Sequence, residues 1–276
     1  MIANYLQSIV FFSLLAGISS YTAKKWGFYC FPHHWPNLPI TFRQVILPFT
    51  LYLILHFLLA PYLFFLLLLA FHPSFEIGGL LQLIISLSIM LVIFLGFRNC
   101  KTFAKIWKQR NRSSFGHDVG LGILTWFVAF PIVIAVGQLV DLLLYLFHGW
   151  QEYEQSAVQY LKSGLNSPLQ LVIALFSILI IAPTLEEFLF RGSLQNYLKK
   201  WIGIKWAIPL TAICFAGFHF TYRQGLGNLS IIASLFVFAC FLGFIYERQG
   251  SLFSSIALHV TFNLANSCRV LLFPSL

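Results

Sequence analysis

Charge is what this sequence has least of. Only 9% of its 276 residues are Asp, Glu, Lys or Arg, while 59% are hydrophobic. Soluble domains carry about 25% charged residues, and no water-soluble fold of this length hides so much apolar surface, so an integral membrane protein is expected. Acid is scarcest, with eight Asp and Glu in all. The five cysteines, Cys30, Cys100, Cys214, Cys240 and Cys268, are scattered without a CxxC pair. That excludes a disulfide framework and a zinc knuckle. There is no HExxH, and neither Ser177 nor Ser193 sits in a GxSxG-type signature; a zincin site and a serine triad lose their usual markers. Internal repeats, low-complexity linkers and a soluble domain are also missing, which leaves one polytopic membrane domain over residues 1–276.

What is present is apolar length. Runs long enough to cross a bilayer fall at about 4–22, 44–71, 80–97, 119–148, 168–190, 204–220, 229–246 and 252–273. The expected fold is therefore all-α, a multi-pass bundle of about eight transmembrane helices. The second and fourth runs are long enough to tilt or hold a break, with Pro48, Pro61 and Pro131 as candidate kinks. The first run has no basic residues before it and no small-residue cleavage site, and it reads as a retained span rather than a removed signal.

The net charge of +9 is explained by topology, without nucleic acid. Of the 17 basic residues, all but Lys162, Arg223 and Arg269 fall after the first, third, fifth or seventh apolar run. The positive-inside rule puts those loops in the cytoplasm and both termini outside. The basic stretch from Arg98 to Arg112 serves as a topology anchor, with anionic lipid as a further use.

Against this background two adjacent carboxylates stand out in Ala182-Pro183-Thr184-Leu185-Glu186-Glu187-Phe188-Leu189-Phe190-Arg191. A charge at bilayer depth costs at least about 2.5 kcal/mol, so each carboxylate needs a partner, a proton or a chemical role. Glu187 and Arg191 are four apart on a helix and can pair. Glu186 points elsewhere, about 100° around, and is left for chemistry. Further polar residues lie in apolar surroundings: His219, one turn after Phe215, and His259 with Asn263 one turn beyond it. Polar groups inside a bundle seek one another. Glu186 and His219 are equally far from a turn near Trp201 to Gly203, so an antiparallel hairpin brings them to one height. His33, His34, His56, His72, His117 and His148 read as loop or span-end residues.

Glu-Glu-x-x-x-Arg, then Phe-x-x-x-His, then His-x-x-x-Asn, in that order on separate apolar helices, resembles the CAAX-processing endoprotease family. The likeness is greatest to its bacterial branch of CAAX protease and bacteriocin-processing (Abi-type) proteins. The motif-bearing core is about 168–273. The resemblance implies a glutamate-dependent intramembrane peptidase in which Glu186, His219, His259 and Asn263 are catalytic, and Glu187, Arg191 and Phe215 support them. It implies a peptide or protein substrate reached from the bilayer or cytoplasmic side, surrounding membrane lipid, no nucleic acid, and a place in the bacterial inner membrane. The chemistry fits: a buried carboxylate with a histidine beside it can take a proton from water, and His259 with Asn263 can donate to an oxyanion. No cofactor is expected, although Glu186, His219 and His259 are conceivable zinc ligands. Two other classes keep the same cluster: a non-catalytic scaffold or bacteriocin-immunity protein gripping a partner peptide, and a transporter with a Glu/His proton relay.

Overall fold

A computed structural model describes residues 2–31, 37–71, 75–97, 102–109, 114–149 and 154–273. Among them every regular element is a helix. The order is α1 (Ile2–Lys25), α2 (Phe42–Leu53), α3 (Ala60–Phe71), α4 (Phe75–Phe97), α5 (Phe103–Trp107), α6 (Phe115–His148), α7 (Ser156–Ser163), α8 (Pro168–Phe176), α9 (Ala182–Glu187), α10 (Asn196–Phe218), α11 (Gly227–Gln249) and α12 (Leu252–Leu272). Three π-helical stretches join neighbours: Ile54–Leu59 between α2 and α3, Ser177–Ile181 between α8 and α9, and Phe188–Gln195 between α9 and α10. All eight apolar runs fold as helix. The second run holds its expected break as the π stretch at Ile54–Leu59, just ahead of Pro61, whose missing N–H loosens the ladder there.

Among the described residues, six helices are long and apolar enough to cross a membrane. The difference from eight has two sources. Pro168–Phe218 forms one helical run, yet Gly203 sits in it at φ 71° and breaks the helical path. Phe190 packs on Phe215 and Phe218 at ring distances of 5.1 and 5.7 Å. A straight helix would place them more than 35 Å apart at about 1.5 Å per residue, so the chain reverses at Gly203 as the hairpin requires. The other source is α12, whose serines, His259, Asn263, Asn266 and Arg269 lower its hydropathy.

The long α6 is the spine, packing on α1, α11 and α12. Lipid offers no hydrophobic drive between helices, so close approach depends on small residues. A Cβ on Gly122 would stand 2.3 Å from the Ser254 carbonyl oxygen on α12, and one on Gly137 2.6 Å from Ser234 Oγ on α11. Gly122→Leu should therefore push α6 off α12 and lower Tm; overpacking costs about 1–3 kcal/mol. Gly120→Leu, whose Cβ meets nothing within 4 Å, is the control and should leave Tm unchanged.

The basic loops meet at one end of the bundle. Arg248 Nε donates to Phe28 O (2.8 Å), Gln109 N to Gly250 O (2.7 Å), Gln109 Nε2 to Asn196 Oδ1 (3.2 Å), and Lys200 Nζ to Ile40 O. Those contacts tie together the loops after the first, third, fifth and seventh apolar runs. At the other end Glu154 pairs with Lys162 and accepts from Gln224 Nε2 at 3.2 Å through its carbonyl. Two residues expected in the loops lie inside instead. Arg191 is fully buried against Glu187, and Lys199 is buried against Glu247 at 3.0 Å. Each cation has an acidic partner, so the helix continues past both. Parts of the Arg98–Arg112 stretch, namely 98–101 and 110–112, and also His33, His34 and His72, lie outside the described residues.

Candidate active site

The two glutamates end α9, between two π stretches. π-Helical insertions often mark functional sites because they rotate side chains out of the 3.6-residue pattern. Glu187 is fully buried and is the hub of the cluster. Its Oε1 accepts from Arg191 Nη1 at 2.9 Å and from His259 Nδ1 at 2.9 Å, and its Oε2 accepts from Ser255 Oγ. Arg191 also donates Nη2 to the Ala239 carbonyl (3.1 Å), and its guanidinium lies 4.5 Å from the centre of the Phe215 ring. The expected Glu187–Arg191 pair is present, and it does more than neutralise charge: it holds His259 by its Nδ1 edge.

Glu186 faces the other way, into a cavity of about 120 Å³. Its Oε2 lies 3.9 Å from His219 Nε2 and 3.9 Å from His259 Nε2. Those separations are too long for direct hydrogen bonds, and they suit one bridging oxygen. Each ring is fixed from behind. His219 Nδ1 is 2.8 Å from Phe215 O, a carbonyl that only accepts, so Nδ1 carries the hydrogen. His259 Nδ1 likewise donates to the Glu187 carboxylate. In the neutral rings both Nε2 atoms are therefore lone pairs turned toward Glu186.

Asn263, one turn beyond His259, lines the same cavity. Its Nδ2 donates to Ile178 O at 2.9 Å, a carbonyl of the first π stretch. One amide hydrogen is thus committed to the backbone and one remains. Phe215 packs on both imidazoles, with ring centres 4.8 Å from His219 and 5.9 Å from His259. All seven residues singled out by the motifs are thus neighbours here. Among the described residues, no group of three or more His, Cys, Asp or Glu has the arrangement to hold a metal ion.

Sequence reasoning missed three contributors. Ser255 belongs to none of the motifs; only its hydrogen bond to Glu187 in the fold marks it. Tyr52 and His56 sit on α2 and the π stretch after it, with rings stacked 5.2 Å apart, and Tyr52 packs on Phe218, the residue before His219, at a ring distance of 5.5 Å. His56 was expected near a span end, but it lies in the middle of its run, where Tyr52 gives its ring a stacking partner. His117 and His148 do lie at the ends of α6.

Residues 168–265 match the model of the family described as type II CAAX prenyl endopeptidase Rce1-like. No curated protein and no solved structure matches the chain. The matched segment starts where α8 starts and holds Glu186, Glu187, Arg191, His219, Ser255, His259 and Asn263. The segment that carries the cluster therefore belongs to the Rce1-like family of type II CAAX prenyl endopeptidases, a family of proteases.

Proposed function

We propose that this protein is an intramembrane endopeptidase that hydrolyses a peptide bond with a water activated by Glu186 and His219. The observation that carries the reading is the pair of 3.9 Å separations from one Glu186 oxygen to two imidazole Nε2 atoms whose far edges are already fixed. A water oxygen about 2.8 Å from each of the three fits those separations; its two hydrogens serve two of the three acceptors, and the third bond forms when one ring carries a second proton and donates to the water. Glu186 takes a proton from this water as its oxygen attacks the peptide carbonyl. The C–N bond then breaks, and the same proton goes to the departing amine, which leaves a new carboxyl end and a new amino end.

The oxyanion formed in between needs donors. The free amide hydrogen of Asn263 is one. His259 Nε2 becomes another only when the ring carries a second proton, and the buried Glu187 carboxylate on its Nδ1 edge stabilises that imidazolium. The glutamate pair thus divides the work: Glu186 handles the proton, and Glu187 sets the orientation and charge of His259. No cofactor takes part in this scheme, and the protein works as a multi-pass protein of a bacterial inner membrane.

The alternative to test is a metal bound by Glu186, His219 and His259. Mutating those residues cannot separate the two schemes, but Asn263 and a chelator can. Asn263→Ala should lower turnover about 100-fold with little change in peptide binding, because the donor acts mainly in the transition state. Asn263→Asp should be worse, since it sets an anion against a developing anion. Activity of the purified protein should survive a chelator. Loss of activity to chelator with recovery on adding zinc would overturn the side-chain scheme.

A further inference from the structure

We infer that the substrate reaches Glu186 from the extracytoplasmic face, not from the bilayer or cytoplasmic side that the family resemblance implies, as an uncharged stretch of polypeptide entering between α7, α11 and α12. The inference rests on the protease reading for what happens at Glu186, but its geometry is independent of turnover.

Two observations fix the direction. First, the path from Glu186 toward the basic loops is plugged. Glu187 and Arg191 are fully buried, as are Phe188, Phe190, Leu242 and Tyr246. Beyond them Gln109, Asn196 and Tyr246 close a hydrogen-bonded network, with the Tyr246 hydroxyl 2.6 Å from both amide nitrogens. Second, the cavity runs the other way. On α12 its wall advances turn by turn from His259 through Asn263 and Ser267 to Val270, away from the Ser251 end that bonds to the basic loops. Its far rim is Gln155 and α7, beside the Glu154–Lys162 end. With the basic loops in the cytoplasm, that rim is outside.

The lining specifies the chemistry. Among the described residues, the ionisable side chains on the cavity wall are Glu186, His219 and His259, all of the catalytic cluster. Above them stand neutral donors and acceptors, Asn263, Asn266, Ser267 and Gln155, beside apolar Val158 and Leu161. Amide and hydroxyl side chains can bond the N–H and C=O groups of an extended backbone, and among the described residues this outer part of the wall has no counter-ion for a charged side chain. A volume of about 120 Å³ is below the roughly 300–1,000 Å³ of ordinary ligand pockets, so a peptide must displace something. The element placed to give way is α7. It is eight residues long and rests on a satellite cluster of Leu161, Ala174 and Val270 that is separate from the main core.

The test is side-specific labelling of the full-length protein in sealed vesicles, with the five natural cysteines replaced. A membrane-impermeant maleimide is offered from each face to Asn266→Cys, on the cavity wall, and to Ser114→Cys, at the exposed start of α6. Asn266→Cys should react from outside only, and Ser114→Cys from the cytoplasmic face only. Ser267→Cys, one residue along the same wall, repeats the measurement if the first variant does not fold. Reaction of the wall cysteine from the cytoplasmic face, or from neither face, overturns the inference; so does labelling of Ser114→Cys from outside. Because labelling needs no catalysis, a negative result here leaves the protease reading to its own test.

Discussion

Arg191→Ala should be the most destabilising single change in the active-site region. It removes a guanidinium that is fully buried, paired with Glu187 at 2.9 Å, bonded to the Ala239 carbonyl and packed on Phe215. Glu187 would be left as a buried carboxylate held by one imidazole and one hydroxyl. Breaking a buried pair from one side costs about 3–5 kcal/mol, because the partner's desolvation is no longer offset. The expected outcome is a large fall in Tm and in the yield of monodisperse protein. The double change Arg191→Ala with Glu187→Gln should recover part of that stability, since it removes the stranded charge. It should not recover turnover, because a neutral amide stabilises a charged His259 ring poorly. An Arg191→Ala protein as stable as the wild type would move Arg191 out of the structural pair.

Glu186→Gln should have the opposite profile. Glu186 Oε2 has no hydrogen-bond partner among the described residues, and the side chain faces the cavity. An amide of nearly the same shape therefore breaks no bond at Oε2 and removes a charge that the fold does not use. Tm should stay at the wild-type value or rise. Turnover should fall by about 10²–10⁴-fold, the range that a positioned general base contributes. His219→Gln should also cut turnover while sparing the fold. Activity in Glu186→Gln close to wild type would remove Glu186 from the chemistry.

The site was legible where its logic is local. Glu187 and Arg191 are four residues apart, as are Phe215 and His219, and His259 and Asn263; helical spacing predicts these neighbours directly. The Glu186–His219 meeting was legible too, because equal distances from one turn put both at the same height. What the sequence could not show depends on tertiary contact or backbone register. Ser255 is 68 residues from Glu187, and no spacing links them. The diverging directions of Glu186 and Glu187 were legible from the helical step of about 100°, but the π stretches on either side of α9 leave no hydrophobic period of their own and are invisible in a sequence pattern. Lys199 resembled a loop anchor because charge alone marked it; only Glu247 on a neighbouring helix makes its burial tolerable. The rim helix α7 was hidden for a related reason: an eight-residue helix in a polar connection is too short to register as an apolar run.

The most direct measurement of the central claim is hydrolysis in ¹⁸O-labelled water. Membranes holding the wild-type protein, the Glu186→Gln variant or neither are incubated in it, and new peptide carboxyl ends are identified by mass. A peptidase that activates water at Glu186 should create a defined set of ends carrying the heavy oxygen in wild-type membranes, with that set lost in Glu186→Gln membranes. The same ends appearing in the variant at the wild-type rate, or no wild-type-specific ends at all, would contradict it.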